Sequence, residues 1–243
     1  MVTLTIDGRE IQAEEGSMVL AAARAHNIYI PTLCENESVE PYGACRLCLV
    51  EITTAKGRDR LVTACLYPVE EGLKVRTHTE RVNSIRQSLL KLLLARCPDS
   101  EAIQKMAADY GVTEQPFKTQ RSNHKCILCA LCTRVCKDVV GVSAISLVNR
   151  GVARQVAPPF AEDNSDACIG CGSCAVACPT GAIEMKDVRG YRTVSWPQQK
   201  MRFKLAKCSA CGHYWAPERQ IEHIMKVSGT PAEEYEVCPD CRK

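Results

Sequence analysis

The chain has 243 residues, a formal charge of +3 and 17 cysteines. So mild a charge argues against nucleic acid, and the longest apolar run, Leu89-Leu-Lys-Leu-Leu-Leu-Ala95, is too short to span a bilayer. Met1 to Asp7 alternates like a strand rather than opening a leader, so a reducing cytoplasm is expected, where clustered thiols mean metal rather than disulfides.

Residues 1–79 read as a β-grasp domain. Val2 to Ile6 alternates with period two, Asp7-Gly8 is a hairpin turn, and Arg9 to Ala13 is the return strand. A helix is expected from Ser17, its N-cap, to His26. Cys34, Cys45, Cys48 and Cys65 follow as C-x10-C-x2-C-x16-C, with a strand Leu61 to Cys65 leading to the last. Plant-type ferredoxins hold a [2Fe–2S] cluster with C-x4-C-x2-C…C; here the first gap is longer, and a zinc site is the alternative.

The segment Gly43-Ala-Cys45-Arg-Leu-Cys48-Leu-Val-Glu-Ile resembles the [2Fe–2S] loop that opens the large iron–sulfur subunit of respiratory complex I, the iron-only hydrogenases and the diaphorase-side small subunit of NAD-linked hydrogenases. The longer gap is the rule there, and all four cysteines match. Gly43 and Ala44 are small enough to let N–H groups approach sulfur and tune a potential.

Residues 80–115 form a helical connector. Val82, Ile85, Leu89, Leu92 and Leu93 share one helical face between Glu80 and Arg96, and Pro98 stops the helix. A second helix is expected from Asp99 to Tyr110, ended by Gly111. The resembling families place an H-x3-C-x2-C-x5-C cluster after this region. Cys97 has no second cysteine nearby, so that cluster is expected to be absent and Cys97 to be a free thiol.

Residues 116–200 carry an internal repeat, Cys126, Cys129, Cys132, Cys136 and then Cys168, Cys171, Cys174, Cys178, each half C-x2-C-x2-C-x3-C. This is the bacterial two-cluster spacing, in which the fourth cysteine serves the other cluster. One [4Fe–4S] cluster is therefore assigned to Cys126, Cys129, Cys132 and Cys178, and the other to Cys136, Cys168, Cys171 and Cys174. Lys137 follows Cys136 where Pro179 follows Cys178. Between the halves, Ala144-Ile-Ser-Leu-Val148 and Val152-Ala-Arg-Gln-Val156 read as strands flanking Asn149-Arg-Gly151, a hairpin broken by Pro158-Pro159. Gly170-Cys-Gly172-Ser-Cys-Ala175 imitates a dinucleotide fingerprint but follows no strand. His124 is either a donor near Cys126 or a surface residue.

Residues 201–243 pair Cys208-Ser-Ala-Cys211 with Cys238-Pro-Asp-Cys241, a zinc-ribbon-like tail. A further iron–sulfur cluster on the same four thiolates is the alternative, and substitution of His213 or His223 as a ligand is a third reading. The fold class is thus α+β, and no catalytic residue is identified.

The resemblance covers residues 1 to about 190. It implies an electron-relay subunit of an NAD(P)-linked hydrogenase or formate dehydrogenase-type complex, set between a flavin/NAD-binding subunit and a catalytic subunit or soluble ferredoxin, with bifurcation allowed. A free-standing oxidoreductase and a regulatory protein acting through the zinc tail are the competing readings.

Overall fold

The computed structural model describes residues 1–119, 125–158 and 167–242; His124 and Pro159 lie outside the described residues. The chain forms two compact units, Met1–Cys129 and Ala130–Lys243.

In the first unit, period-two alternation sends Val2, Leu4 and Ile6 of β1 (Val2–Ile6) inward. The Asp7-Gly8 turn returns β2 (Arg9–Ala13) antiparallel to it. The helix α1 (Val19–Ala25) buries Val19, Leu20, Ala22 and Ala23 in the same core. Strands β3 (Leu49–Thr53), β4 (Asp59–Thr63) and β5 (Lys74–Arg76) complete a five-stranded sheet of order β2-β1-β5-β3-β4, with β1 and β5 parallel. Ser17 does not cap α1: Met18 is the N-cap, and the Ser17 hydroxyl donates back to the Glu14 carbonyl at 2.6 Å. Glu15-Gly16 forms a turn, and the helix starts at Val19, two residues beyond Ser17.

The helix α2 (Glu80–Arg96) follows, capped by the Thr79 hydroxyl, which accepts from the Val82 N–H at 3.1 Å. Its buried residues are Val82, Arg86, Leu90 and Ala95, while Leu92 is half exposed. The buried face is therefore rotated from the leucine stripe and has an arginine at its centre, which apolar periodicity does not register. The helix α3 (Glu101–Asp109) packs on α2 and ends before Gly111.

In the second unit, the short helix α4 (Leu131–Arg134) runs into one π-helical turn, Val135–Val139, that carries Cys136. Lys137 lies inside this turn, where a proline would remove a backbone donor. A two-stranded hairpin follows, β6 (Ser146–Val148) with β7 (Gln155–Ala157), its strands shortened by a helical turn at Gly151–Ala153. The helix α5 (Ser173–Val176) packs on α4. Strands β8 (Glu184–Val188), β9 (Tyr191–Trp196), β10 (Gln199–Lys207) and β11 (Tyr214–Pro217) form an antiparallel sheet in the order β11-β10-β9-β8. The boundary drawn from sequence at residue 200 falls inside β10. The helix α6 (Glu218–Ser228) packs on β10 and β11. No helix among the described residues is long and apolar enough to cross a membrane.

The cap at Thr79 gives a simple test of the α2 boundary. Thr79→Ala is expected to cost about 1 kcal/mol, read as a melting temperature lower by roughly 2–4 °C.

Candidate metal centres

In the first unit, Cys34, Cys45, Cys48 and Cys65 are all buried. The loop between α1 and β3 supplies the first three, and the turn after β4 supplies the last. Cys48 and Cys65 sulfurs lie 3.4 Å apart. The amides of Cys45, at 3.3 Å, and Ala44 donate to the Cys34 sulfur. The Leu33 amide donates to the Cys45 sulfur at 3.4 Å. The Cys34 thiol beside it, with amides of Leu33 and Leu47, pulls the Cys45 thiol down to about 5 against the effect of burial. Sharing a proton with Cys45, together with burial, pushes Cys34 up. Gly43 is left-handed (φ 70°), a conformation that glycine adopts without strain, and a Cβ there would also displace the end of the Leu66 side chain. Four interacting buried thiols with N–H donors aimed at sulfur suit a cluster that takes four thiolates.

Cys126 and Cys129 close the first unit, while Cys132 and Cys178 belong to the second. Cys97 is fully buried, and burial pushes its thiol up to about 12, with Cys126 and Cys129 near enough to add to the effect. At Cys178 the Ala182 amide donates to sulfur at 3.2 Å.

The second unit gathers Cys136, Cys168, Cys171 and Cys174 around one small cavity that is partly open to solvent. Its wall is otherwise largely apolar, with Val140, Val142, Ile145, Ile169, Val194 and Trp196. Burial, then repulsion from Cys171, Cys168 and Cys136, pushes the Cys174 thiol up to about 12. A metal core reverses that, because coordinated thiols are held deprotonated. The Ala144 amide donates to Cys136 sulfur at 3.3 Å. Trp196 has a buried indole N–H with no hydrogen-bond partner among the described residues. Four converging thiols in an apolar wall fit an iron–sulfur cubane.

The repeat is also written in the backbone. Leu128 (φ 54°) and Ala130 (φ 62°) are left-handed at the second and fourth residues after Cys126. Gly170 (φ 70°) and Gly172 (φ 82°) are left-handed at the same offsets from Cys168. This turn aims the Leu128 amide at the Cys126 sulfur at 3.4 Å, and the Gly170 amide donates likewise to Cys168. In the second half glycine is also a packing requirement at one position, since a Cβ on Gly170 would meet the Phe203 ring at 2.5 Å, while one on Gly172 would displace the end of the Met185 side chain as well as strain the backbone.

In the tail, the β10–β11 turn carries Cys208 and Cys211, and a final helical turn carries Cys238 and Cys241. All four sulfurs lie within 4.8 Å of one another, with Cys211 and Cys238 sulfurs 3.8 Å apart. Tetrahedral zinc with Zn–S near 2.3 Å sets thiolates about 3.8 Å apart, whereas a cubane places an iron behind each thiolate and spreads them. The Cys238 amide donates to the Cys208 sulfur at 3.3 Å and the Ser209 amide to the Glu236 carbonyl at 2.8 Å, joining the two knuckles. Neither His213 nor His223 is in the group.

These cysteine sets on ferredoxin-type folds define an iron–sulfur electron-transfer protein. A family model described as a 2Fe-2S iron-sulfur cluster binding domain matches residues 1–80, and a 4Fe-4S dicluster domain matches residues 167–213. The second match takes in Cys168 to Cys178 with Cys208 and Cys211. The chain is 36% identical over 219 residues to the NADPH-Fe(3+) oxidoreductase subunit alpha of Geobacter sulfurreducens, covering 81% of this chain and 25% of the relative. It is 35% identical over 212 residues to the NADP-reducing hydrogenase subunit HndD of Solidesulfovibrio fructosivorans, covering 75% and 36%. A chain in the crystal structure of an NAD+-reducing [NiFe]-hydrogenase in the H2-reduced state superposes with a TM-score of 0.63 at 31% identity, covering 74% of this chain and 85% of that one. The chain therefore belongs to the family of iron–sulfur subunits of NAD(P)-linked hydrogenases and complex I-like oxidoreductases. It spans about a quarter to a third of the length of these curated relatives.

The two halves should respond oppositely to glycine exchange. Ala130→Gly relieves a left-handed alanine and should be neutral or stabilising by up to about 1 kcal/mol. Gly172→Ala should destabilise by more than that and release iron. Melting curves and iron content of the anaerobically purified variants check both.

Proposed function

We propose that the chain is a non-catalytic electron-relay subunit of a multisubunit NAD(P)-linked hydrogenase or formate dehydrogenase-type complex. It stands between a flavin/NAD-binding subunit and a catalytic subunit or ferredoxin, in the cytoplasm. Cys34, Cys45, Cys48 and Cys65 would hold a [2Fe–2S] cluster in a β-grasp domain. Cys126, Cys129, Cys132 and Cys178 would hold one [4Fe–4S] cluster, and Cys136, Cys168, Cys171 and Cys174 a second. Bound clusters supply one-electron carriers in series.

One observation carries this reading: Cys136, from the first half of the repeat, lines the same cavity as Cys168, Cys171 and Cys174 from the second. That crossing ties the halves together and is the arrangement of two-cluster ferredoxins. The chain's own contribution is to exclude water with the apolar wall and to turn amides toward sulfur, which sets how readily charge is accepted. For the tail, the close spacing of the four sulfurs favours zinc in a ribbon-like clip over a further cluster.

Metal content separates the assignments. About ten irons and one zinc per chain are expected. With crossed ligation, Cys136→Ser combined with Cys171→Ser empties one cubane and leaves about six irons. Cys136→Ser combined with Cys129→Ser empties both and leaves about two. Uncrossed ligation reverses the two results. Cys211→Ser should release zinc and leave the iron in place. The relay role is tested by mixing: the purified chain alone should not turn over NAD(P)H with any acceptor, and activity should appear when flavin and catalytic subunits are added. Turnover by the chain alone would overturn the reading.

A further inference from the structure

Arg86 is the only charged side chain that is fully buried among the described residues. It sits on the inward face of α2, one turn from buried Val82 and Leu90. Its guanidinium donates Nε–H to the Leu47 carbonyl at 3.0 Å and from the other terminal nitrogen to the Leu49 carbonyl at 2.8 Å. A third donor reaches the Thr77 carbonyl at 2.8 Å and the Tyr110 hydroxyl at 3.3 Å. Leu47 and Leu49 flank Cys48 on either side.

No carboxylate pairs with Arg86 among the described residues. Glu51, on β3, is taken by Arg76 and Arg81. A buried cation satisfied only by neutral oxygens is costly and calls for an anion nearby. Arginine cannot escape by losing its proton. Burial does push the guanidinium down, while Tyr110 and Cys48 act in the opposite sense. The negative charge within reach is the thiolate set to which Cys48 belongs.

We propose that Arg86 is the internal counter-ion of the [2Fe–2S] cluster assigned to Cys34, Cys45, Cys48 and Cys65, favouring its reduced form and raising its reduction potential while clamping the backbone on both sides of Cys48. The inference rests on that cluster assignment. A [2Fe–2S] centre with four thiolates is net negative and gains a further negative charge when one electron converts an Fe(III) to Fe(II), so a fixed cation in a low-dielectric setting favours the reduced state. No proton need accompany the electron, because the compensating charge is already in place. Arg86 does not touch substrate; it is a positioning and charge-compensating residue.

The test is an EPR-monitored redox titration of the full chain, with dithionite as the electron source. Arg86→Gln removes the charge and should shift the electron-exchange equilibrium toward the oxidised form about tenfold, a midpoint about 59 mV lower for one electron. Arg86→Lys keeps the charge and should stay within about threefold of the native protein at neutral pH. A folded, fully loaded Arg86→Gln protein with the native midpoint overturns the proposal. If Arg86→Gln does not retain its cluster, Arg86→Lys decides, and a midpoint shifted by more than that threefold at neutral pH overturns it. A native protein lacking the [2Fe–2S] signal sinks the cluster assignment instead, before any variant is compared.

Discussion

Thiolates gathered into a small volume repel one another, and the chain offsets that repulsion in two ways: with cationic metal, and with backbone N–H groups turned toward sulfur. The second is visible throughout. Amides of Ala44 and Cys45 serve Cys34, those of Leu33 and Leu47 serve Cys45, Leu128 serves Cys126, Ala144 serves Cys136 and Ala182 serves Cys178. Such donors need backbone that is free of helix and sheet ladders. This is why the cysteines sit on loops, turns and the ends of very short helices.

The same demand explains the strained backbone. Leu128 adopts a left-handed conformation that side chains resist, in the turn that presents its amide to the Cys126 sulfur two residues back, and Ala130 is left-handed two residues further on. The corresponding positions in the second half are glycines, and at Gly170 the buried Phe203 ring leaves no room for a side chain. One geometry is thus reached by two sequence solutions, and which one each half uses follows from what lies above it.

The two units meet the burial of charge differently. The first has a proper hydrophobic core, a sheet covered by α1, and it admits one cation, Arg86, whose donors grip the chain around Cys48. The second has a thin core built from a four-stranded sheet and short helices, and its cavity wall doubles as the lining for Cys136, Cys168, Cys171 and Cys174. There, removing the metal would remove much of what holds the segments together. The tail hangs from the same sheet, since β10 ends at Lys207, one residue before Cys208.

The sequence alone marked the cysteine sets as candidates, because ligand spacing is a local property that the chain states directly, and it determined the β1–β2 hairpin and the bounds of α2, where periodicity and turn chemistry agree. It also showed the family, through the long first gap around Cys34 and Cys45. What it left to the tertiary structure were features fixed by distant partners. The inward turn of Arg86 depends on carbonyls of Leu47 and Leu49 nearly forty residues away. The run of β10 through residue 200 depends on pairing with β9 and β11. The sub-5 Å approach of the tail sulfurs depends on two knuckles brought together across α6. Hydrophobic pattern and local spacing carry no record of such partners, since burial of a charge or closure of a loop is decided only when the rest of the chain is in place.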